Sequence, residues 1–279
     1  MDSIARAILG SWNWRPYVQL RVSSFGTAYS IGGLARAAVM AALAAVAMTQ
    51  DAPTAEAPGV TLRYFGHAFF LVTSAEGVRV AMDPFGKIGY PMPEVEADIV
   101  TISHEAYDHN NAALITGKPE VLRGLEPGGR TWTRVEFRRK DVQIATLPAY
   151  HDKVQGKERG LNSIFVVEAS GVRIAHLSDI GDMPPEETIR TLGRVDVLLV
   201  PVGGGHGIEA AEATKIVDRL KPAVAVPIHY KTAATAWSAL PDERPFLDGK
   251  PRVKRVGNSV RLDRATLPAQ TEIWVMDYR

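Results

Sequence analysis

Three potential metal ligands lie close together in the segment TISHEAYDHNN, residues 101–111. His104, Asp108 and His109 follow the apolar run ADIV and the small residue Ser103. Imidazole and carboxylate side chains without thiolates suit Zn²⁺, with Mn²⁺ or Fe²⁺ as alternatives. His104 and Asp108 are so near in sequence that the loop between them must wrap around the ion. His109 is then expected to begin a helix over the stretch HNNAALI.

Other candidate ligands stand where apolar, strand-like runs end. His151 follows VQIATLPAY, Asp179 ends VRIAHLSD and His229 ends AVAVPIH, just as His104 follows ADIVTIS. Loops at strand ends on one edge of a sheet can converge on a single point, and the rigid sheet fixes their positions. A lone histidine at a strand end is more often structural, but four such positions favour a metal site.

Composition narrows the chemistry further. Apolar residues make up 46% and charged residues 23% of the 279 residues, as in soluble globular proteins. Lys and Arg number 32 against 31 Asp and Glu, so net charge gives no argument for a nucleic-acid partner. The chain has no cysteine, which excludes disulfides, thiolate metal sites and a cysteine nucleophile.

The elements that must position these side chains are mostly strands. Turn signals bound β-rich segments, predicted at 60–65, 68–74, 77–86, 97–103, 141–150, 163–170, 171–179, 195–202 and 223–229. The runs MPPEETIRTLG and GIEAAEATKIVDRLKP predict helices, the second amphipathic and stopped by Pro222. Strands dominate early and strand–helix–strand units come late, so sheets covered by helices are expected.

Residues 1–58 differ from the rest and are predicted to be a leader ahead of one domain over residues 59–279. Through Gln50 they hold four arginines, no lysine and the single acid Asp2. The apolar run AAVMAALAAVAM and the spacer TQDAPTAEAPG resemble a secretory signal peptide plus linker, which predicts export to the periplasm or outside the cell. The run is too short and alanine-rich for a comfortable membrane span. An organellar transit peptide, or an N-terminal helix of a cytoplasmic protein, are the alternatives.

The segment SHEAYDHN resembles the H-x-H-x-D-H signature of the metallo-β-lactamase fold superfamily, with one departure. The later histidine, aspartate and final histidine follow in the family's order, and YFGHAFFLV, AMDPF, RGLNSIFVVEASGVRIAHLSDIG and PIHYKT are similar to the lactonase-like, ascorbate-phosphate lactonase branch. The resemblance covers roughly residues 60–230. It implies an α/β fold, a four-layer αββα sandwich with the metal site at one edge.

The resemblance also implies a ligand set, in which one position is altered. The first site would use His104, position 106 and His151, and Asp179 would bridge to a second site. That second site would use Asp108, His109 and His229. Ala106 replaces the third histidine of the first site and cannot ligate, so one or two Zn²⁺ ions in an asymmetric centre are expected, with the second site filling first.

Three further side chains are predicted to support the site or touch substrate. The resemblance places His67, in FGHAFF, near the ligands, and a hydrogen-bonded structural role is the alternative. His176 is predicted to support a ligand from within its strand. Asp83, in MDPF, is interpreted either as such a support or, preferably, as part of an Asp-Pro turn.

Three more candidates lie close to the ligands in sequence. The run VGGGHGIE predicts either a phosphate cradle or a tight turn beside the metal, and His206 within it could reach substrate. Asn162 could orient a substrate oxyanion or cap a turn. Tyr230 could supply a phenol to a leaving group or simply pack.

These observations favour a hydrolase that uses metal-bound hydroxide on an ester, lactone, amide or phosphodiester, with Asp108 as the catalytic residue that orients the hydroxide. A small-molecule substrate is expected, and neither a nucleic-acid partner nor a stable membrane span. One alternative is a non-catalytic metal-binding relative with a defective first site. Another is redox or oxygen chemistry at iron.

Overall fold

The computed structural model describes residues 59–205, 207–235 and 238–279, so the predicted leader and His206 lie outside the described residues. Two large sheets and a small one make up the β structure. The first sheet has the strand order β15-β1-β2-β3-β5-β7. Its strands are β1 Val60–Gly66, β2 Phe69–Thr73, β3 Arg79–Met82, β5 Ile99–Ile102, β7 Glu120–Arg123 and β15 Ser259–Leu262. The small sheet pairs β4 Val95–Glu96 with β6 Ile115–Thr116.

The second large sheet has the order β14-β16-β13-β12-β11-β10-β9-β8. Its strands are β8 Glu136–Arg139, β9 Val142–Tyr150, β10 Leu161–Ala169, β11 Val172–His176, β12 Val197–Pro201, β13 Val224–Ile228, β14 Val253–Val256 and β16 Glu272–Met276. The described helices are α1 Glu186–Leu192, α2 Ala210–Leu220 and α3 Arg244–Leu247, with 3₁₀ turns at Ala112–Leu114 and Ala233–Thr235.

One continuous core joins the inner faces of the two large sheets. Leu62 and Phe70 from the first sheet pack in the same cluster as Phe165 and Leu199 from the second. Every residue of β12 and β13 is buried, as expected for parallel strands covered on both faces. Helix α2 contributes Ala213, Ile216 and Val217 to the buried interior from its apolar face. The predicted αββα sandwich is confirmed.

The sheet directions bring the important loops to one edge. Strand β3 runs parallel to β5, and β11, β12 and β13 run parallel to one another. Strand β9 is antiparallel to β10, which is antiparallel to β11, so β9 and β11 point the same way. The carboxyl ends of strands that carry the candidate ligands therefore open at a common edge.

One predicted element is wrong. The stretch HNNAALI forms no α-helix; only Ala112–Leu114 makes a 3₁₀ turn, because the backbone N–H of Asn111 bonds back to the carbonyl of Pro84. Within the described residues, no helix is long and apolar enough to cross a membrane.

Candidate metal centre

Every candidate ligand predicted from the strand ends lies at the same end of the sandwich. His104 follows β5, His151 follows β9, Asp179 follows β11 and His229 follows β13. His67 lies in the turn between β1 and β2, where the pairing register shifts between Tyr64 and Gly66. The rigid strands thus hold side chains that are far apart in sequence around one point.

Four of these residues form the tighter half of the centre. His67, Asp108, His109 and His229 each offer a ligand atom within 4.8 Å of all the others. Asp108 Oδ2 lies 3.0 Å from His67 Nε2, 3.7 Å from His109 Nε2 and 3.9 Å from His229 Nε2. The three residues that the resemblance assigned to a second site are therefore adjacent, and His67 joins them.

Asp179 connects this group to the other half. Its Oδ2 lies 3.4 Å from His229 Nε2 and 3.1 Å from His151 Nε2. The ring of His104 lies 4.7 Å from the ring of His151 and 4.5 Å from that of His109, measured between centroids. Asp179 stands where a bridging carboxylate would.

The hydrogen-bonding state of these atoms fits a cation. Among the described residues no hydrogen-bond partner exists for five of their buried polar atoms: Nε2 of His104, His109 and His229, Nδ1 of His151 and Oδ1 of Asp179. Buried polar atoms are normally paired, and leaving one unpaired costs about 1–3 kcal/mol. The Nε2 atoms of His109 and His229 both face Asp108 from different loops, as a metal site requires, and nitrogen and carboxylate donors suit Zn²⁺ and related ions.

Electrostatics also favour a cation here. Burial raises the pKa of Asp108 and Asp179, but hydrogen bonds from His67 and His151 and the positive potential of nearby histidines outweigh it and hold both pKa values well below the usual range. Burial lowers the pKa of His104 and of His229 to about 3 each. Ionised Asp108 and Asp179 therefore lie beside the neutral imidazoles of His104 and His229, the forms that bind metals, whereas hydrogen bonds to carboxylates overcome burial and raise the pKa values of His109 and His151.

Asp83 is the residue that orients two of the imidazoles. Its Oδ2 accepts hydrogen bonds from His109 Nδ1 at 3.0 Å and from Ser103 Oγ at 2.6 Å, while Oδ1 accepts the Ser103 N–H at 2.9 Å. Ser103 Oγ in turn lies 2.9 Å from His104 Nδ1. Since the serine hydroxyl donates to the carboxylate, it accepts from His104, and both histidines present Nε2 to the centre.

Asp83 therefore has a larger role than the preferred turn interpretation gave it. It is fully buried, and burial raises its pKa. The hydrogen bond from His109 and the potential of nearby histidines outweigh that effect and hold the pKa below its usual range. In return, the hydrogen bond and charge of Asp83 overcome burial at His109 and raise the pKa of that imidazole to about 9.

The backbone is strained around the centre. His67, Asp83, Ser178 and His229 all have φ between 46° and 57°, in the left-handed region that side chains other than glycine rarely adopt. Such conformations cost about 1–3 kcal/mol each and persist where surrounding contacts over-determine them. Gly207 is needed nearby, since a Cβ there would lie 2.5 Å from Asp179 Oδ1. The glycine run thus allows the chain to pass close to the ligands, in line with the tight-turn interpretation.

Neither neighbour of Ala106 replaces the missing ligand. The carboxylate of Glu105 pairs with Arg123 and accepts a 3.2 Å hydrogen bond from Asn110. The Tyr107 side chain is 62% exposed and its hydroxyl accepts the Lys87 N–H at 2.8 Å. The methyl group of Ala106 instead lines an open cavity of about 590 Å³. The cavity is bounded by residues that include His104, His151, Leu125, Arg159 and Leu161.

Other predicted site residues turn inward. Asn162 is fully buried and its side-chain amide donates to the Leu177 carbonyl at 3.1 Å, while its Oδ1 has no hydrogen-bond partner among the described residues. His176 is also fully buried, and neither ring nitrogen hydrogen-bonds a candidate ligand in the described structure. Tyr230 is 6% exposed and burial raises its pKa, which favours the packing alternative.

Three further residues support the site although the sequence analysis assigns them no role in it: Ser103, Ser178 and Asp152. Ser178 Oγ lies 2.6 Å from Ser103 Oγ and also hydrogen-bonds Asp83. The Asp152 carboxylate accepts the backbone N–H groups of Val154, Gly156, Glu158 and Arg159, which folds the loop after His151. The only sequence signal was position, since Ser103, Ser178 and Asp152 each directly adjoin a candidate ligand.

The fold and the centre define a class: αββα proteins with histidine and aspartate metal ligands at the sandwich edge. The beta-lactamase superfamily domain matches residues 61–229 of the chain. The chain therefore belongs to the metallo-β-lactamase superfamily.

Similar proteins share this membership. A UPF0173 metal-dependent hydrolase of Thermococcus onnurineus is 32% identical over 196 residues, covering 62% of this chain and 85% of the relative. Another, of Pyrococcus abyssi, is 30% identical over 216 residues, covering 68% and 92%. A crystal structure from Thermotoga maritima, of a candidate zinc-dependent hydrolase of the same superfamily, has a TM-score of 0.63 and 32% identity. It covers 78% of this chain and 98% of its own.

Proposed function

We propose that this protein is a metal-dependent hydrolase of small molecules. The observation that carries the proposal is that six potential metal ligands lie together at one edge of the sandwich, and several of their buried ligand atoms have no hydrogen-bond partner among the described residues. The six are His104, Asp108, His109, His151, Asp179 and His229. Its relatives at 30–32% identity are themselves named metal-dependent hydrolases. Zn²⁺ suits the donor set best, and Mn²⁺ or Fe²⁺ are alternatives.

The residues would divide the work as follows. A bound ion supplies a Lewis acid that polarises the substrate oxygen and acidifies a water. Asp108, ionised and partly open to solvent, would accept a hydrogen bond from a water in the site and so orient it. Asp83 holds His109 directly and His104 through Ser103, so the imidazoles keep their orientation.

The cavity beside Ala106 supports a small-molecule substrate. Its volume of about 590 Å³ lies in the range of ligand pockets, roughly 300–1,000 Å³. Apolar Leu125 and Leu161 and the charged Glu158 and Arg159 contribute to its lining, so it offers both kinds of contact. Esters, lactones, amides and phosphodiesters are the substrate classes we propose, with lactones favoured by the similarity to the lactonase-like branch.

Turnover measurements test the proposal. Purified protein with added Zn²⁺ or Mn²⁺ should hydrolyse at least one of a panel of p-nitrophenyl esters, lactones and bis(p-nitrophenyl) phosphate. Asp108→Ala should reduce kcat/KM by at least about 10³-fold, in line with losing a group that acts on the reacting atoms. Asp141→Ala, the same change at the opposite end of the sandwich, serves as the matched control.

The alternative is a metal-binding relative without catalysis, and the loss of a ligand at Ala106 is the observation that favours it. Tight metal binding with no turnover on any member of the panel would support this alternative. Activity that survives Asp108→Ala undiminished would argue against the catalytic role of this centre.

We also propose that residues 1–58 are an export leader, as their arginine-rich, acid-poor composition suggests. Expression of the full chain in its native host, followed by N-terminal sequencing of the mature protein, tests this. A mature protein that retains residue 2 in the cytoplasm would contradict it.

A further inference from the structure

We propose that His67 is an additional protein ligand of the ion held by Asp108, His109 and His229, which makes these four residues a tight single-ion site. The proposal deepens the proposed function, because it rests on metal binding at the same edge of the sandwich. It differs from the ligand set implied by the family resemblance, in which Asp108, His109, His229 and the bridging Asp179 hold this ion and His67 is not a ligand.

The distances between ligand atoms suit four-coordination. A tetrahedral Zn²⁺ with bonds of about 2.0–2.1 Å keeps its ligand atoms about 3.3 Å apart. From Asp108 Oδ2, the three histidine Nε2 atoms lie at 3.0, 3.7 and 3.9 Å, on either side of that value. All four atoms lie within 4.8 Å of one another, so small side-chain rotations suffice to close the site.

His67 is held in place independently of Asp108. Its backbone carbonyl accepts the His229 N–H at 2.9 Å and the Tyr64 hydroxyl at 3.2 Å. Its ring centroid lies 4.1 Å from that of His229, and only 6% of the residue is exposed. Its φ of 56° is strained for a histidine, so these contacts maintain a conformation that aims the ring at the centre.

The ligand lost at Ala106 makes an additional ligand at position 67 significant. Ala106 removes one histidine from the half built on His104 and His151, and neither Glu105 nor Tyr107 supplies a substitute. His67 adds a histidine to the other half. Ala106 on one half and His67 on the other together favour one strong site and one weak site over two comparable ones.

A simpler role is that His67 only donates a hydrogen bond to Asp108. His67→Gln separates the two roles, because glutamine keeps an amide N–H donor but is a poor ligand for Zn²⁺ or Co²⁺. His176→Gln is the matched control, with the same change at a buried histidine whose ring hydrogen-bonds no candidate ligand in the described structure. Metal-stripped proteins would be titrated with Co²⁺ and with Zn²⁺ against a chromophoric chelator, with circular dichroism to show that each variant is folded.

If His67 is a ligand, His67→Gln should weaken the tight ion by more than about 100-fold, the upper end of the loss expected from an outer hydrogen-bonding partner. It should also abolish the visible absorption of four-coordinate Co²⁺, while His176→Gln leaves the affinity within about threefold and the Co²⁺ spectrum unchanged. An unchanged Co²⁺ spectrum in His67→Gln would overturn the proposal, whether or not affinity falls.

X-ray absorption of the wild-type protein with one equivalent of Zn²⁺ gives a test that needs no variant. Three imidazoles per ion are expected, and two would overturn the proposal. Neither measurement depends on turnover. If the protein hydrolyses a substrate but its ion has two imidazoles, the proposed function stands and the ligand role of His67 fails. If the ion has three imidazoles but no substrate is hydrolysed, the ligand role stands and the proposed function fails.

Discussion

At the residue scale, single side chains decide how the centre is built. Asp83 receives hydrogen bonds from His109, from Ser103 and from Ser178, although these residues are up to 95 positions away in sequence. The carboxylate fixes the tautomer of one ligand directly and of His104 through Ser103. Its position after β3 is therefore as important to the metal centre as several of the ligands.

Asp83→Asn is expected to lower metal affinity by about 10–100-fold, since an amide can accept only on one side and places an N–H against donors. Competition with a chromophoric chelator measures the affinity, and Asp263→Asn, in the turn after β15 and outside the ligand set, is the control. An affinity within about twofold of wild type would contradict the orienting role.

Ala106→His is expected to add a second ion. The methyl group borders the cavity beside His104 and His151, so an imidazole has space to complete a three-histidine set. The metal content of dialysed protein, measured by elemental analysis, should rise from about one ion per chain toward two, because the half with His104 and His151 gains a third imidazole nitrogen. Two tightly held ions in the unmodified protein would instead count against an asymmetric centre.

At the element scale, the strand ends position the ligands and the turns at the opposite end hold the sheets together. Asp141, between β8 and β9, accepts hydrogen bonds from Ser74 Oγ at 2.7 Å and Ser170 Oγ at 2.8 Å. Ser74 follows β2 of the first sheet, whereas Ser170 lies in the β10–β11 turn of the second. Burial raises the pKa of Asp141, but these hydrogen bonds outweigh it and lower the pKa below its usual value.

Asp141→Ala is expected to reduce the free energy of unfolding by about 1 kcal/mol at pH 7, a modest value because the carboxylate is partly solvated. The folded pKa lies below the unfolded one of about 3.9, so the contribution is complete above pH ~4 and declines as pH falls through the folded pKa. Urea unfolding at pH 7 and pH 3 should show the difference narrowing. Glu120→Ala is the control, and a difference that widens in acid would contradict the assignment.

At the scale of the whole molecule, the centre ties loops of both sheets together, so metal binding and folding should be coupled. Removing the ion leaves buried carboxylates and unpaired imidazole nitrogens facing one another. A ligand present at 100 times its dissociation constant stabilises the folded state by about 2.7 kcal/mol.

Chelation is therefore expected to lower Tm by roughly 5–10 °C for a domain of this size. Scanning calorimetry before and after metal removal measures the change, and added Zn²⁺ should restore it. Asp108→Ala should show a smaller shift, because one ligand is absent. Equal Tm values with and without metal would show that the ion does not bridge the loops.

The sequence alone determined the fold class and which residues gather at the edge. Apolar runs with the length typical of strands are each followed by or end in a potential ligand: His104, His151, Asp179 or His229. Because the strands that carry these residues share a direction, their carboxyl ends lie at the same edge of the sandwich. These properties are local or follow from topology, so they can be predicted from the order of residues.

Only the tertiary structure decided which polar neighbours serve the centre. His67 approaches Asp108 from 41 positions away in sequence. The side chain of Asn162 bonds the carbonyl of Leu177, just after strand β11, and the carboxylate of Glu105 pairs with Arg123 on the adjacent strand β7. Each is a contact between distant segments whose geometry depends on packing to within an ångström. Residue type and spacing carry no information at that resolution.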